Sequence, residues 1–458
     1  MRHPHFLITM ADDQRRTAWS GPGPGAEPVQ TPALTALANR GTTMTRASHA
    51  GSPCGAVCVA SRAMLHTNCR PFALPSDMVA GPIDPTYTAP ADARTLGRRL
   101  RDAGYATLFV GKWHNNEPSL VDSFESGRHV FLGGMASHFQ MPLAQLEGGE
   151  VQPSMLQGVH STEAFTEGAI TMLRRYARGD FGDRPFCLIV AFTAPHDPRQ
   201  THAVWHDRYP PADAPLPDNI RPTHPFDNGE LDVRDELLTP RPRQPEQTRR
   251  EIADYYAMVE HMDHGIGRIH DALEQFGLTK DTVVAHTADH GLAVGQHGLM
   301  GKQNLYEHST GVPLVLAGPD IPHGAVRDGL CYQHDLFPTL LEWAGADPSH
   351  ASGDAPFKSL VPLLNDPQHA GADAVGCFYR DLQRSVTDAA GKKLIRYAVG
   401  GHRWQQCFDL SNDPHETKPL TEIDDGLLAR FSDWLQAAGD PDRQAFLDPE
   451  AGWSTPPA

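Results

Sequence analysis

Residues 6–13 read Phe-Leu-Ile-Thr-Met-Ala-Asp-Asp, a short apolar run that ends in two adjacent carboxylates. An apolar run of this length is typical of a strand that is buried on both faces of a sheet. Three further apolar runs precede chemically active residues: 106–110 before Lys112 and His114, 185–192 before His196, and 282–287 before Asp289 and His290. Because ligands in open α/β sheets bind beyond the carboxyl ends of the strands, this pattern predicts a functional site at one sheet edge.

Segments with helical character separate the apolar runs. Helices are predicted over residues 31–39, 95–103, 162–176, 247–276 and 335–343, and another strand over 312–316. Strands that alternate with helices predict an α/β fold, in which a large, mixed, mostly parallel sheet is flanked by helices.

The pattern changes beyond about residue 365, where short strands are predicted over 376–380, 392–399 and 404–410, followed by a helix over 424–438. The sequence therefore predicts a catalytic domain over residues 1–365 and a small C-terminal α+β subdomain over 366–458, with a short antiparallel sheet and a terminal helix. Two proline-rich stretches, 209–225 and 239–245, are predicted to be long loops. A functional role and a plain surface excursion are equally open for them.

The composition excludes several classes of protein. The chain has 458 residues and a net charge of −17, which disfavours nucleic-acid binding by phosphate neutralisation. No apolar run approaches the ~20 residues that a membrane-spanning helix needs, so no membrane association is expected. No signal peptide is visible, which predicts a cytoplasmic protein, with the periplasm open if the N-terminus was trimmed. Seven scattered cysteines argue against a disulfide framework.

The carboxylates at the predicted sheet edge point to a metal ion. Asp12, Asp13 and Asp289 would repel one another there unless a cation neutralised them. Oxygen ligands select hard cations such as Ca²⁺ or Mg²⁺, and the neighbouring His290 leaves room for Mn²⁺. For either acidic pair taken by itself, an ordinary turn with acidic residues remains the alternative.

A cysteine precedes a predicted helix in the stretch Gly55-Ala-Val-Cys58-Val-Ala-Ser-Arg62. Backbone N–H groups at a helix start activate a thiol, and Arg62 lies one turn further on the same face. The alternative is an ordinary buried cysteine with a surface arginine. Elsewhere, Lys112 is suited to binding an oxyanion and His114 to moving a proton, while the Gly301-Lys302 pair lacks the spacing of a nucleotide-binding loop.

Taken together and in this order, the motifs resemble those of the sulfatase family in the alkaline-phosphatase-like superfamily. The matching segments are 7–14, Cys58-Val-Ala-Ser-Arg62, Gly111-Lys112-Trp113-His114, Ala194-Pro-His196, Thr287-Ala-Asp289-His290-Gly291, Gly301-Lys302, 305–308, 312–314, 335–341 and 408–417. The resemblance covers nearly the whole chain. It implies the alkaline-phosphatase-like fold and the hydrolysis of a sulfate monoester.

The resemblance also implies the chemistry of the site. In such sulfatases the signature cysteine is oxidised after translation to formylglycine, whose hydrated aldehyde supplies the nucleophilic oxygen. By this resemblance, Ca²⁺, or else Mg²⁺ or Mn²⁺, is held by Asp12, Asp13, Asp289, His290 and the modified Cys58. The remaining roles are assigned as follows: Arg62 and Lys112 hold formylglycine and sulfate, Lys302 binds sulfate, His196 protonates the leaving alcohol, and His114 is the base that releases sulfate. One departure is Ala60, where the usual signature has proline; the broader family pattern also accepts alanine.

The implied partners are a sulfated small molecule or saccharide and the enzyme that generates formylglycine. Several segments resemble bacterial sulfatases of carbohydrate degradation, which makes His138, His224, Asp227 and Arg380 candidates for lining a sugar site. Stabilisation of loops is an equally open role for each of them. Two rival functions remain: a phosphate or phosphonate ester hydrolase on the same fold, and a non-catalytic binding protein that lacks maturation.

Overall fold

The computed structural model describes residues 3–74, 94–347 and 356–457 of the chain. The strands are β1 (His5–Ala11), β2 (Gly41–Met44), β3 (Ala47–Ser48), β4 (Gly51–Ser52), β5 (Ala106–Lys112), β6 (Ser126–Phe131), β7 (Gln140–Glu147), β8 (Glu150–Gln157), β9 (Phe186–Ala191), β10 (Thr282–Ala288), β11 (Leu314–Ala317), β12 (Ala325–Arg327), β13 (Cys331–Tyr332), β14 (Ala374–Tyr379), β15 (Gln383–Asp388), β16 (Lys392–Val399) and β17 (His402–Asp409). The α-helices are α1 (Pro32–Asn39), α2 (Val57–Thr67), α3 (Leu96–Asp102), α4 (Glu117–Ser123), α5 (Ser161–Ala177), α6 (Ala203–His206), α7 (Pro245–Gln275), α8 (Glu307–Thr310), α9 (Leu336–Trp343), α10 (Val361–Asn365), α11 (Asp425–Ala438) and α12 (Arg443–Leu447).

A ten-stranded sheet forms the centre of the molecule, in the order β12-β2-β11-β10-β1-β9-β5-β6-β7-β8. The five strands from β10 to β6 in that order pair in parallel, whereas β11, β7 and β8 pair antiparallel to their neighbours. Every residue of β1, β5, β9 and β10 is buried, as the continuous apolar runs predict. The predicted α/β fold with a large, mixed, mostly parallel sheet is therefore confirmed.

The register of the parallel strands fixes which residues meet at their carboxyl ends. Met10 of β1 pairs with Thr287 of β10 and with Ala191 of β9, and Gly111 of β5 also pairs with Ala191. All four strands therefore end at the same level. The segments that follow them leave the sheet side by side at one edge.

Helices pack on this sheet in two groups. The first contains α1, α5 and α7, and the second contains α2, α3 and α9. The start of α1 is held by Asp263 of α7, whose carboxylate oxygens accept hydrogen bonds from the N–H groups of Ala33 and Leu34, each at 2.9 Å. This interaction satisfies two of the N–H groups that a helix start leaves unpaired. No helix in the described part of the chain is long and apolar enough to cross a lipid bilayer.

A second sheet has five strands in the order β17-β16-β15-β14-β4. Its strand β4 comes from the N-terminal part of the chain and pairs in parallel with β14, with Gly51 opposite Phe378. Gly51 has a φ of +112°, and a Cβ atom there would lie 2.1 Å from the Phe378 carbonyl oxygen, so glycine is required. The segment that leads into α2 is thus anchored on the C-terminal sheet, which α11 covers.

Candidate active site

The polar residues that follow β1, β5, β9 and β10 lie close together at one edge of the sheet. The ladder continues past the strand ends, because the Asp12 N–H donates to the Ala194 carbonyl and the Asp289 N–H to the Ala11 carbonyl, each at 3.1 Å. Asp13 then adopts a left-handed φ of +73°, and its N–H donates to Asp289 Oδ1 at 3.3 Å. A non-glycine residue rarely adopts this backbone conformation, and such strain concentrates at functional sites.

Each buried carboxylate of the site faces a buried cation. Arg62 of α2 contacts Asp289 Oδ2 through Nε at 2.9 Å and Asp12 Oδ2 through Nη2 at 3.4 Å. Lys112 at the end of β5 also donates to Asp12 Oδ2. Lys302 donates to Asp13 Oδ1 at 2.9 Å. Burial of charges without such partners would be strongly unfavourable, so these contacts fix the positions of the side chains.

Cys58 is the second residue of α2, and its side chain lies in the middle of these charges. The Lys302 ammonium is 3.4 Å from Cys58 Sγ. Burial raises the pKa of the Cys58 thiol, but Lys112, Lys302 and His290 together hold that pKa well below its ordinary value. The structure therefore brings the predicted cysteine, both lysines and the arginine of α2 into one cluster.

Three histidines border the cluster and differ in their charge. Burial lowers the pKa of His196, but Asp13, Asp197 and Asp12 outweigh burial and Lys302 and raise it to about 9. The pKa of His290 is likewise raised to about 9, because Asp289 and the Cys58 thiolate outweigh burial. Burial and the charge of Lys112 lower the pKa of His114 to about 4. At neutral pH, His114 is thus neutral, whereas His196 carries a proton available for donation.

The donor atoms fit a divalent cation. One oxygen, nitrogen or sulfur atom from each of Asp12, Cys58, Asp289 and His290 lies within 4.8 Å of the others, and Asp12, Asp13, Cys58 and His196 form an overlapping group. Asp12 Oδ1 and His290 Nε2 are buried without a hydrogen-bond partner among the described residues. Buried polar atoms normally have partners, and carboxylate oxygens favour hard cations.

A network behind Asp289 holds this metal-ligand candidate in place. Ser61 Oγ donates to the Asp289 carbonyl oxygen at 2.6 Å, and Gln333 Nε2 donates to the same oxygen at 3.0 Å. Gln333 Nε2 also donates to Ser61 Oγ at 2.6 Å. Ser61 and Arg62 are adjacent on α2, so one helix turn fixes both the backbone and the carboxylate of Asp289.

The four candidate sugar-site residues have different surroundings. His138 is only 1% exposed, and its ring nitrogens lie 2.8 Å from Ser161 Oγ and 2.9 Å from the His196 carbonyl oxygen. Both ring nitrogens of His138 are used inside the protein, where the ring supports the His196 backbone, and its assignment to a sugar site stays a prediction. His224 is also buried, and it packs against Phe226.

Asp227 and Arg380 are at the protein surface. Asp227 Oδ1 accepts a hydrogen bond from the Gly229 N–H at 2.8 Å, which stabilises its own turn. Arg380 is half-exposed, and its Nη1 contacts Glu230 Oε1 at 2.7 Å. Glu230 also accepts a hydrogen bond from Tyr379 at 3.1 Å. Arg380 therefore remains available to a ligand, whereas the known contact of Asp227 is local.

Asp197, Arg234 and Asp235 also belong to the site, although no motif marks them. Asp197 Oδ1 lies 3.4 Å from His196 Nδ1, and Arg234 contacts both oxygens of Asp197. The position of Asp197 directly after His196 was an available signal. No local pattern marks Arg234, because its partner is 37 residues away along the chain.

Comparison with known proteins gives a consistent family. The family model described as "Sulfatase" matches residues 4–346, and the model "N-sulphoglucosamine sulphohydrolase, C-terminal" matches residues 295–427. A choline-sulfatase of Rhizobium meliloti is 26% identical, over 95% of this chain and 87% of its own length. An N-acetylglucosamine-6-O-sulfatase of Bacteroides thetaiotaomicron is 24% identical, over 91% of this chain and 82% of its own length.

A solved structure shows the same fold over almost the whole chain. It comes from work on the metabolism of multiple glycosaminoglycans by Bacteroides thetaiotaomicron, and it superposes with a TM-score of 0.77 at 19% identity. The match covers 97% of this chain and 99% of the other. The first family model spans most of the residues that build the buried cluster around Cys58. The chain therefore belongs to the sulfatase family and has its alkaline-phosphatase-like fold.

Proposed function

We propose that this sulfatase hydrolyses a sulfate monoester of a carbohydrate, using formylglycine made from Cys58 and a divalent cation of the Ca²⁺ type. The observation that carries the proposal is the surroundings of Cys58, a thiol placed among hard oxygen ligands. A thiolate is a poor ligand for a hard cation, whereas an oxygen at the same position would be a good one. Conversion of Cys58 to an aldehyde resolves this mismatch.

The cation would be held by Asp12, Asp289 and His290, whose donor atoms lie within 4.8 Å of one another and of Cys58, and by Asp13, which shares an overlapping group with Asp12 and Cys58. Two of those atoms, Asp12 Oδ1 and His290 Nε2, have no hydrogen-bond partner among the described residues. When bound, the cation and the hydrated aldehyde would supply Lewis-acid activation of the sulfate and an oxygen nucleophile. Mg²⁺ and Mn²⁺ are the other candidate ions.

Three buried, positively charged side chains provide the binding site for the anionic sulfate. Lys112, Lys302 and Arg62 surround Cys58 without facing bulk solvent. In such a buried site, fixed positive charges stabilise negative charge more strongly than they would in water. These three side chains neutralise the sulfate oxygens and hold the sulfur against the residue at position 58.

His196 and His114 carry out the two proton transfers of the reaction. His196 Nδ1 lies 2.7 Å from the Asp197 carbonyl oxygen, which can only accept, so Nδ1 carries a proton. Its Nε2 faces the cluster, 3.9 Å from Asp13 Oδ2, and donates a proton to the leaving alcohol. His114 is neutral and next to Cys58, so it accepts the proton whose removal releases sulfate.

Two relatives support a carbohydrate as the alcohol part of the substrate. One is named for 6-O-sulfated N-acetylglucosamine, and the solved structure belongs to work on glycosaminoglycans. The relative that is named for choline sulfate has a different alcohol, so sugar and choline esters must both be assayed. Arg380, half-exposed beside Glu230, is the candidate sugar contact that the structure leaves accessible.

The test compares the kcat/KM values of the purified protein for four esters: a sulfated monosaccharide, choline sulfate, nitrophenyl sulfate and nitrophenyl phosphate. We expect the aryl sulfate to be preferred over the phosphate and the sugar sulfate over choline sulfate. Preference for the phosphate would favour the rival phosphate or phosphonate ester hydrolase. Protein whose Cys58 stays unconverted when it is made together with the maturation enzyme, and which turns over none of the esters, would favour the non-catalytic binding protein that lacks maturation.

A further inference from the structure

The residues from Arg234 to Leu238 form a 3₁₀ turn in the long segment before α7. Its orientation is unusual, because the charged Asp235 and Glu236 are buried while Leu237 is 61% exposed. Buried charges are unfavourable unless they are paired or hydrogen-bonded. The turn is thus specified by what its charged side chains contact.

The Arg234 guanidinium joins two carboxylates. Its Nη1 lies 2.5 Å from Asp197 Oδ2, and its Nη2 lies 2.9 Å from Asp197 Oδ1. The same Nη2 donates to Asp235 Oδ1 at 2.6 Å. Paired N–H groups on one carboxylate fix its orientation as well as its distance. Arg234 therefore determines where the Asp197 carboxylate lies.

Asp197 in turn contacts the ring of the proposed general acid. Its carbonyl oxygen lies 2.7 Å from His196 Nδ1, and its Oδ1 lies 3.4 Å from the same nitrogen. Both oxygens lie at Nδ1, whereas Nε2 on the far side of the ring lies 3.9 Å from Asp13 Oδ2. A shift of Asp197 would thus rotate the imidazole and move Nε2 away from the leaving oxygen.

The rest of the turn holds the opposite side of the active site. Asp235 Oδ2 accepts a hydrogen bond from Gln303 Nε2 at 2.8 Å, and Glu236 Oε1 accepts from the Gly301 N–H at 2.8 Å and from the Met300 N–H at 3.1 Å. These contacts surround Lys302 in the chain. One turn is thus bonded both to the support of His196 and to the loop that carries Lys302.

We propose that Arg234 is a positioning residue for the sulfatase reaction. Through Asp197 and Asp235, it fixes the positions of His196 and Lys302 relative to each other. This inference rests on the proposed roles of His196 and Lys302. Without the guanidinium, two carboxylates would lie close together with no shared cation, and they would separate. A displacement of reacting groups by about 1 Å can cost ~10²-fold in rate.

Two other roles would leave different signatures. A simple loop-stabilising ion pair would affect the unfolding temperature but not the turnover of the folded enzyme. A guanidinium that binds an anionic group of the substrate would change KM for that substrate. Both Nη groups of Arg234 contact protein carboxylates, which favours positioning over direct substrate binding.

The test uses Arg234→Ala with Arg241→Ala as the matched control. Arg241 belongs to the same segment, but its partner Asp232 is 90% exposed at the protein surface. For the metal-loaded, converted enzyme we expect kcat for a sulfated sugar to fall about a hundredfold in Arg234→Ala, with KM changed less than threefold. Arg241→Ala should match the wild type. Added guanidinium should restore part of the kcat of Arg234→Ala and should not raise that of the wild type.

The inference is overturned if Arg234→Ala turns over at the rate of Arg241→Ala, or if only KM changes. Should the alanine variant not fold, Arg234→Lys keeps the charge but cannot contact both Asp197 oxygens, so it should still lose kcat. A folded Arg234→Lys variant with full kcat would refute the proposal as well. If the wild type hydrolyses no sulfate ester, the proposed function fails before any variant is compared.

Discussion

Replacement of His196 by alanine tests how the leaving group is protonated. The His196 ring is 5% exposed, and its Nδ1 proton is held by the Asp197 carbonyl oxygen. Burial and Lys302 lower its pKa, but three carboxylates raise it to about 9, so at pH 7 the ring is almost fully protonated. The wild-type enzyme thus presents a charged acid at the start of each cycle.

The expected loss depends on the leaving group. A positioned acid contributes ~10²–10⁴-fold when the leaving group needs a proton, which corresponds to about 3–5 kcal/mol in the barrier. A sugar alkoxide needs that proton, whereas nitrophenolate is stable without it. His196→Ala should therefore reduce kcat for a sulfated sugar by ~10²-fold or more, and kcat for nitrophenyl sulfate by a much smaller factor.

The assay measures kcat for both esters with wild type, His196→Ala and the control His206→Ala. His206 pairs with Asp254 at the surface, so His206→Ala should leave kcat unchanged for both esters. Equal losses for the two esters would refute the acid role and would mean that His196 only binds a sulfate oxygen. A second check is pH: the wild-type rate on the sugar ester should fall as His196 loses its proton near pH 9, and His196→Ala should lack this decline.

Three further predictions concern the rest of the molecule. Cys58→Ala should abolish sulfate hydrolysis while leaving the unfolding temperature close to that of the wild type; residual turnover above background would contradict the nucleophile assignment. Ca²⁺ at a hundredfold excess over its Kd should raise the unfolding free energy by about 2.7 kcal/mol, and calorimetry should show this gain lost in Asp289→Asn. Burial and neighbouring histidines lower the pKa of His261 to about 2, so below pH 6.5 the unfolded chain takes up a proton that the folded chain does not. Stability therefore decreases as the pH is lowered, and His261→Gln should reduce this pH dependence by about 1.4 kcal/mol per pH unit between pH 6 and pH 5.

The central strands could be predicted because each is buried on both faces. A continuous apolar run needs no partner to be recognised, and β1, β9 and β10 lie within one or two residues of the predicted runs. The predicted strand over 312–316 is also present, shifted to Leu314–Ala317, but it pairs antiparallel to β10. The direction of a strand depends on the connection that precedes it, and the pattern of residues within the strand does not contain this information.

The hairpin of β7 and β8 was missed for a physical reason. Its strands contain Pro142 and Pro153, and proline removes a backbone donor from a sheet. Pro153 lies on β8, the last strand of the sheet, where proline is tolerated. Gly148 and Gly149 at the turn, both with positive φ, were the available hairpin signal.

Strand β15 was missed because it buries polar residues. Gln383 and Arg384 are fully buried, and Arg384 Nε contacts Asp440 at 2.7 Å beyond the end of α11. A strand of this kind has no apolar alternation to detect, since its burial depends on a partner far along the chain.

Some residues of the site could be predicted from local sequence patterns, and others could not. The candidates at strand ends could be found because unusual residue types followed recognisable strands. Lys302 was found only through the family resemblance, and its 2.9 Å contact with Asp13 spans 289 residues of chain. Asp197 follows His196 directly, but Arg234 has neither a strand end nor a motif, so only the folded structure reveals the pair.

The mass of the tryptic peptide 47–62 shows whether Cys58 is converted to formylglycine. This peptide contains Cys54 and Cys58, so Cys54 provides an internal control for thiol alkylation. In active protein, we expect a single alkylated cysteine together with the mass of an aldehyde in place of the Cys58 thiol. The peptide from Cys54→Ser should then carry no alkylated cysteine. Fully active protein whose peptide carries two alkylated cysteines would contradict the account.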